Sequence, residues 1–373
     1  SILIWIIAVS GENVDGPRMD RMTHFAELGL FEASVPRYTS YPTAPHFTDA
    51  QDAAQMRRWL GDLGPEKSVS LYIHIPFCER LCWFCACRTQ GVRSPEPVAV
   101  YLETLKSEID QVARAMTGGA RVTTLHWGGG TPTILTPVQI ADLAGHLRRA
   151  FDIVPDLAFS VEIDPTLVDP DKVEALRLAG MTRASIGIQD FDSRIQEAIG
   201  RRQSYERTAE VVAMLRGAGI GSLNTDMVYG LPHQTIEGLT DSTRKLLTLQ
   251  PDRVALYGYA HVPWMAKRQR MIDADTLPDA RTRLALSERA EALFAEAGYA
   301  SIGIDHFALP ADSMAQAAAA GRLRRNFQGY TDDGADALIG LGASAISKLP
   351  QGYAQNAPAT AAYTGRIRAG ELA

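Results

Sequence analysis

A chain of 373 residues with 46% hydrophobic content can bury a substantial core, roughly one large domain with flanking segments. Its formal net charge of -6 offers no basic surface for general nucleic-acid binding, so any anionic ligand must be held by a local group of cations. Four cysteines in so long a chain are too few for a disulfide scaffold, which points to reduced thiols and a cytoplasmic protein.

The first apolar stretch, ILIWIIAV from Ile2 to Val9, is far shorter than the roughly 20 residues of a spanning helix and has no basic run before it, so no membrane span is expected. The chain opens on Ser, and residues 1–18 read as a non-native or fragment-edge segment, with Met19 or Met22 the more natural start. Residues 19–67 follow as an N-terminal extension.

From residue 68 one unit recurs: a β-rich run, a loop rich in Gly, Pro or polar residues, then a helical pattern. The runs are SVSLYIHIP (68–76), RVTTLHWGGGTP (121–132), AFSVEIDP (158–165), RASIGIQDF (183–191), SLNTDMVYGLP (222–232) and RVALYGYAHVP (253–263). Between them lie stretches such as VAVYLETLKSEIDQVARAM and TPVQIADLAGHLRRAF, with apolar residues at i, i+3, i+4 spacing. Such alternation predicts parallel βα units and an α/β fold, with a partial TIM-like (β/α)6 barrel over 68–310 and a C-terminal extension over 311–373. A doubly wound sheet is the alternative, and both architectures place function at the carboxyl ends of the strands.

All four cysteines fall within CERLCWFCAC (78–87), directly after the first run. Three arrangements are open. A structural zinc site would normally use two ligand pairs set further apart. A redox dithiol would use Cys82 and Cys85 but leave Cys78 unexplained. A 4Fe-4S cluster on Cys78, Cys82 and Cys85 would leave one iron without a protein ligand, open for chemistry.

The other strand ends carry their own signals. Gly128, Gly129 and Gly130 fit a turn that needs positive φ, or a place where backbone approaches a ligand without side-chain obstruction. Glu162 alternates with Val161 and Ile163, so its carboxylate points into a barrel or into a helix layer, and either is costly unless paired. Asp226 could accept hydrogen bonds from ribose hydroxyls, or cap the loop that follows. Arg201 is a solvated helix-end residue or a carboxylate partner.

Cys-x-x-x-Cys-x-x-Cys after a first barrel strand resembles the signature of the radical S-adenosylmethionine superfamily. RYTSYPTAPHF (37–47), LYIHIPFC (71–78), CAC (85–87), LHWGGGTPT (125–133), SIGIQDF (185–191), DMVYGLP (226–232), YAHVP (259–263), DHFALP (305–310), RNFQGYT (325–331) and GLGASAIS (340–347) together resemble the family of oxygen-independent coproporphyrinogen III oxidases, over most of the chain. The resemblance implies a 4Fe-4S cluster on Cys78, Cys82 and Cys85 whose open iron takes the amino and carboxylate groups of S-adenosylmethionine. Reductive cleavage of that cofactor then gives a radical able to remove hydrogen from an unactivated carbon, which acid and base side chains cannot do. It further implies two S-adenosylmethionine molecules: Tyr72, Gly129, Glu162 and Ile346 around the cluster-bound one, and Phe84, Gly130, Thr131, Gln189, Arg201, Asp226 and Ala260 around the second. Arg202 does not inherit the role of Arg201, and Cys87 is kept near the cluster without ligating it.

The activity implied is a step of anaerobic haem biosynthesis, the oxidative decarboxylation of two propionates of coproporphyrinogen III to the vinyl groups of protoporphyrinogen IX. A tetracarboxylate substrate makes Arg322, Arg324, Arg325, Lys267, Arg268 and Arg270 candidates for its carboxylates, although a solvated charged face explains them equally. A flavodoxin- or ferredoxin-like protein is the expected electron donor, and a monomer the expected state. The alternative is a related haem chaperone, which typically lacks the CAC extension, RYTSYPTA and NFQGYT. All three are present here. Family members continue into a further helical C-terminal domain, whereas this chain stops at GELA, so a missing domain is expected.

Overall fold

All six β-rich runs become parallel strands: β1 (Ser68–Ile75), β2 (Arg121–Gly129), β3 (Ile153–Ile163), β4 (Arg183–Gln189), β5 (Ser222–Tyr229) and β6 (Arg253–Gly258). They are seen in a computed structural model that describes residues 21–31, 46–48 and 52–372; residues 1–18 and the RYTSYPTA segment (37–44) lie outside the described residues. Two short antiparallel strands, β7 (Ala300–Ile302) and β8 (His306–Ala308), extend the sheet beyond β6. At the other side β9 (Ala337–Leu341) pairs in parallel with β1, followed by antiparallel β10 (Ile346–Leu349) and β11 (Gly352–Gln355).

The sheet order is β11-β10-β9-β1-β2-β3-β4-β5-β6-β8-β7, so its two edges do not pair and the barrel is partial, as expected. The sheet continues past residue 310, because β9 returns to the side of β1. Helices fill the crossovers at Glu96–Ala115, Pro137–Ala150, Pro170–Ala179, Tyr205–Gly217, Ile236–Thr248 and Ala280–Glu296. Side-chain caps start five of them: Thr136 in a capping box with Gln139, Asp169, Ser204, Thr235 and Asp279.

Period-two alternation sorts the strand residues onto two faces. Leu71, Ile73, Trp127, Phe159, Val161, Ile186 and Leu223 are buried in the core shared with the helices. The alternate residues form rows across the other face. Tyr72, His126 and Ser160 stand in one register, and Glu162, Ser185 and Asn224 in the next. A hydrophobic helix layer thus leaves a polar inner face near the carboxyl ends.

A buried polar node fastens the C-terminal part to this frame. Glu108, on the 96–115 helix, accepts from the Gly342 N–H at 2.7 Å, the Tyr363 hydroxyl at 2.7 Å and Asn356 Nδ2 at 2.5 Å. Tyr101 beside it donates to the His74 carbonyl at 2.7 Å, one turn of chain before the cysteine loop. Among the described residues no helix is long and apolar enough to cross a membrane.

Candidate active site

The cysteine loop leaves β1 at Pro76 and is closed at its base by a two-residue parallel pairing of Phe77–Cys78 with Gln90–Gly91. Each of the three sulfurs expected to bind iron has a hydrogen-bond donor beside it. Thr131 Oγ1 lies 3.5 Å from Cys78 Sγ, Arg201 Nη1 3.6 Å from Cys82 Sγ, and the Cys87 N–H 3.4 Å from Cys85 Sγ. Donors of this kind stabilise the anionic form that a thiolate ligand needs. A hydrogen bond from the Cys87 thiol brings the Cys85 thiol down to about 6, whereas burial pushes Cys78 up. Cys87 itself is exposed.

Among the described residues, no three His, Cys, Asp or Glu side chains converge where one metal ion could sit. Three thiols on one loop, each with a donor of its own, suit a cluster in which each thiolate takes a different iron.

The loop is held from three sides. Trp83 N–H donates to the Ile199 carbonyl at 2.8 Å. Buried Gln269 donates through Nε2 to the carbonyls of Phe84 (2.9 Å) and Ala260 (3.1 Å), and its Oε1 accepts from Val262 N–H. Arg268 donates to the Cys87 and Thr89 carbonyls, each at 3.2 Å, and to Thr89 Oγ1 at 2.9 Å. Arg268 Nη2 thus fastens the loop, a role the sequence reading did not give it. Lys267 and Arg270 flank it in the Lys267–Met271 turn and face solvent.

Inside the barrel, buried Tyr72 stacks on His126 with ring centroids 5.6 Å apart and meets Phe327 edge-on at 5.2 Å. Its hydroxyl lies 2.9 Å from His74 Nδ1, and His74 Nε2 lies 3.2 Å from the Arg88 carbonyl. Burial lowers the His74 pKa, so the ring is neutral; a carbonyl can only accept, so Nε2 carries the proton and Tyr72 donates to Nδ1. Glu162 accepts from Gly129 N–H at 3.0 Å and lies 3.4 Å from His126 Nε2. The pairing that its strand position demanded is therefore supplied from β2.

The three glycines clear room chiefly for the protein's own groups. A Cβ on Gly128 would stand 2.6 Å from Glu162 Oε1, and one on Gly130 2.6 Å from the Phe77 carbonyl oxygen. Gly129, at φ 109, would meet the His74 ring at 2.4 Å.

Gln189 ends β4 at φ 68, an uncommon conformation for a residue with a side chain. Fully buried Asp190 anchors it, accepting from Ser242 Oγ at 2.6 Å, Gln234 Nε2 at 2.7 Å and Asp192 N–H at 2.8 Å. Such strain persists only where neighbours over-determine it, and it clusters at ligand sites. Arg201 donates through Nη2 to the Gly187 carbonyl at 2.7 Å and Gln203 Oε1 at 2.8 Å, while its buried Nε has no partner. A buried guanidinium N–H left open fits a ligand carboxylate. Arg202 is exposed and pairs with Glu197 at 2.7 Å, outside the site.

Asp226 on β5 is pushed up to about 7 by burial and the nearby Glu162 charge, against His306, Arg201 and Asn224. Ile346 opens β10, next to Ala345, which packs with Tyr72, Leu338 and Phe327. Phe84 packs beside Ile195, Ile199 and Tyr259. Of the other arginine candidates, Arg325 lies over the Tyr330 ring at 4.8 Å and Arg324 donates to the Gly334 carbonyl at 3.1 Å. Sequence reasoning did not single out His74, His126, Ser160, Asn224 or His306. Their signal was the alternation of polar with apolar residues near the strand ends.

A model described as the Radical SAM superfamily matches residues 72–246. An oxygen-independent coproporphyrinogen III oxidase of Paracoccus denitrificans is 56% identical, over 95% of this chain and 78% of its own length. One of Cereibacter sphaeroides is 54% identical over 94% and 78%. The solved structure of the Escherichia coli coproporphyrinogen III oxidase HemN, described as a radical SAM enzyme, superposes with a TM-score of 0.86 at 38% identity, covering 92% of this chain and 77% of that one.

Proposed function

Because this chain belongs to the family of oxygen-independent coproporphyrinogen III oxidases, we propose that its polar barrel mouth carries the family's reaction, decarboxylation of two propionates of coproporphyrinogen III to the vinyl groups of protoporphyrinogen IX. The carrying observation is the loop that presents three thiols, each with its own hydrogen-bond donor, above the polar inner rows. Bound there, a 4Fe-4S cluster and S-adenosylmethionine would supply the one-electron chemistry that takes a hydrogen atom from the carbon β to the carboxylate; loss of carbon dioxide and transfer of one electron to an external acceptor would then leave the vinyl.

The chain's own residues hold and orient. Cys78, Cys82 and Cys85 take the three irons, and exposed Cys87 stays outside the ligand set. Tyr72, fixed by its hydrogen bond to His74, together with Gly129, Glu162 and Ile346, surrounds the cofactor at the open iron. Arg201, with its open Nε, orients a carboxylate of a second S-adenosylmethionine among Phe84, Gly130, Thr131, Gln189, Asp226 and Ala260. Residues 68–310 carry this machinery except for Ile346, which the 311–373 extension brings in beside β1; 19–67 precede them. A flavodoxin- or ferredoxin-like protein delivers the electrons, and the enzyme works as a cytoplasmic monomer.

The test is anaerobic reconstitution with iron and sulfide, then dithionite, S-adenosylmethionine and coproporphyrinogen III. Protoporphyrinogen with two carbon dioxide molecules released per substrate is expected; cofactor cleavage with intact propionates would overturn the substrate assignment.

A further inference from the structure

The segment that clamps the cysteine loop from outside is also the most conspicuous apolar surface near it. Trp264 is 72% exposed, Met265 78% and Met271 61%, all within eight residues of one another. Large apolar side chains so open to water, grouped together, mark contact surfaces more often than chance.

The charge around them is equally unusual. Stretches 78–93 and 261–271 hold Arg80, Arg88, Arg93, Lys267, Arg268 and Arg270 against one acid, Glu79, on a chain whose net charge is -6. Arg80, Arg88, Arg93, Lys267 and Arg270 are all exposed, and they make no ion pair among the described residues. Hydrogen bonds from Arg268 and Gln269 to Cys87, Thr89 and Phe84 join the two stretches, so this surface is one side chain away from the cluster loop.

We infer that Trp264, Met265 and Met271, with the cations around the cysteine loop, form the docking surface for an acidic one-electron carrier protein. The inference rests on the radical reading above. Each encounter moves one electron from the carrier's reduced cofactor to the oxidised cluster, leaving the carrier oxidised by one electron. A small apolar centre in a field of unpaired charge suits a fast, transient complex, because the charges steer the encounter and the limited apolar area lets the partners separate. The short path through Gln269 and Arg268 places the carrier beside the loop that receives the electron.

The test follows cluster reduction by its visible band in the reconstituted chain, using reduced flavodoxin or dithionite, at low and high salt. Trp264→Ser/Met265→Ser and Lys267→Glu/Arg270→Glu should each slow reduction by flavodoxin about tenfold at low salt. Dithionite should reduce every form at the same rate, and salt should slow the wild type more than the charge variant. Wild-type rates with flavodoxin in both variants would overturn the inference. So would equal slowing with dithionite, a raised KM for coproporphyrinogen III under dithionite, or a wild-type dimer that these substitutions dissociate. A chain that takes up no iron and sulfide is recognised before any donor is added, and overturns the radical reading along with this one.

Discussion

The Gly129 N–H donates to Glu162 Oε2 at 3.0 Å, so the glycine turn of one strand and the carboxylate of the next form a single unit beside the cysteine loop. Replacing Glu162 with Ala strands that N–H and costs roughly 1–3 kcal/mol. Glu162→Gln keeps an acceptor for Gly129 but removes the charge. We expect Glu162→Gln to melt near the wild type while losing most S-adenosylmethionine affinity, measured by calorimetry on the reconstituted protein. Unchanged affinity in Glu162→Gln would show that this carboxylate's charge plays no part in cofactor binding.

Gly130 offers a test of the loop's architecture. Its N–H donates to the Ile75 carbonyl at 2.8 Å, and the next N–H, of Thr131, to the Phe77 carbonyl at 2.8 Å. An added Cβ would stand 2.6 Å from the Phe77 oxygen and 2.8 Å from the Ile75 oxygen, both backbone atoms that cannot rotate away. Gly130→Ala should therefore destabilise by about 1–3 kcal/mol and lower the iron bound per chain. Gly217→Ala is the control: its Cβ meets nothing within 4 Å at a helix end, so stability should hold or rise.

The strands were legible because their alternation is local. The run expected at 68–76 is Ser68–Ile75, and that at 183–191 is Arg183–Gln189. β3 begins at Ile153, ahead of the expected 158, because Pro155 and Asp156 read as loop yet sit exposed on the strand. β9 was missed: ALIGL is buried at every position and shows no alternation, and its partner β1 lies more than 250 residues earlier. The likeness of the inner rows also escaped, since Tyr72, His126 and Ser160 share a register only once strand order is known. Nor does the sequence around Arg268 say that it donates to the Cys87 carbonyl.

Glu108 makes stability depend on pH. Burial raises its carboxyl to about 7 from an ordinary 4.5, opposed by donors from Tyr363, Gly342 and Asn356. The folded state then holds a proton that the unfolded chain has released, so this group's contribution is complete below about pH 4.5 and is lost as pH rises through about 7. The full swing is about 3 kcal/mol at 1.36 kcal/mol per unit. Glu108→Gln cannot titrate, so the difference in melting temperature between wild type and variant should shift between pH 5 and 8. A difference that stays constant across that range would show that Glu108 does not change protonation on folding.

The cysteines decide the metal chemistry. Cys78, Cys82 and Cys85 each receive a hydrogen bond at sulfur from a different part of the fold, at 3.5, 3.6 and 3.4 Å, which favours the thiolate form that iron ligands need. Single replacement of any one with Ala should abolish the visible absorption and the paramagnetic resonance signal of the reconstituted protein. Normal cluster content in one variant would remove that residue from the ligand set. Cys87 gives Cys85 both its backbone N–H and its thiol hydrogen bond; Cys87→Ser keeps the first and offers a hydroxyl for the second. Cys87→Ser should therefore keep its iron and sulfide and still change its spectrum when S-adenosylmethionine is added, because one iron remains open. Loss of the cluster in Cys87→Ser would mean four cysteine ligands and a closed site suited to electron transfer, and the radical reading would fall with it.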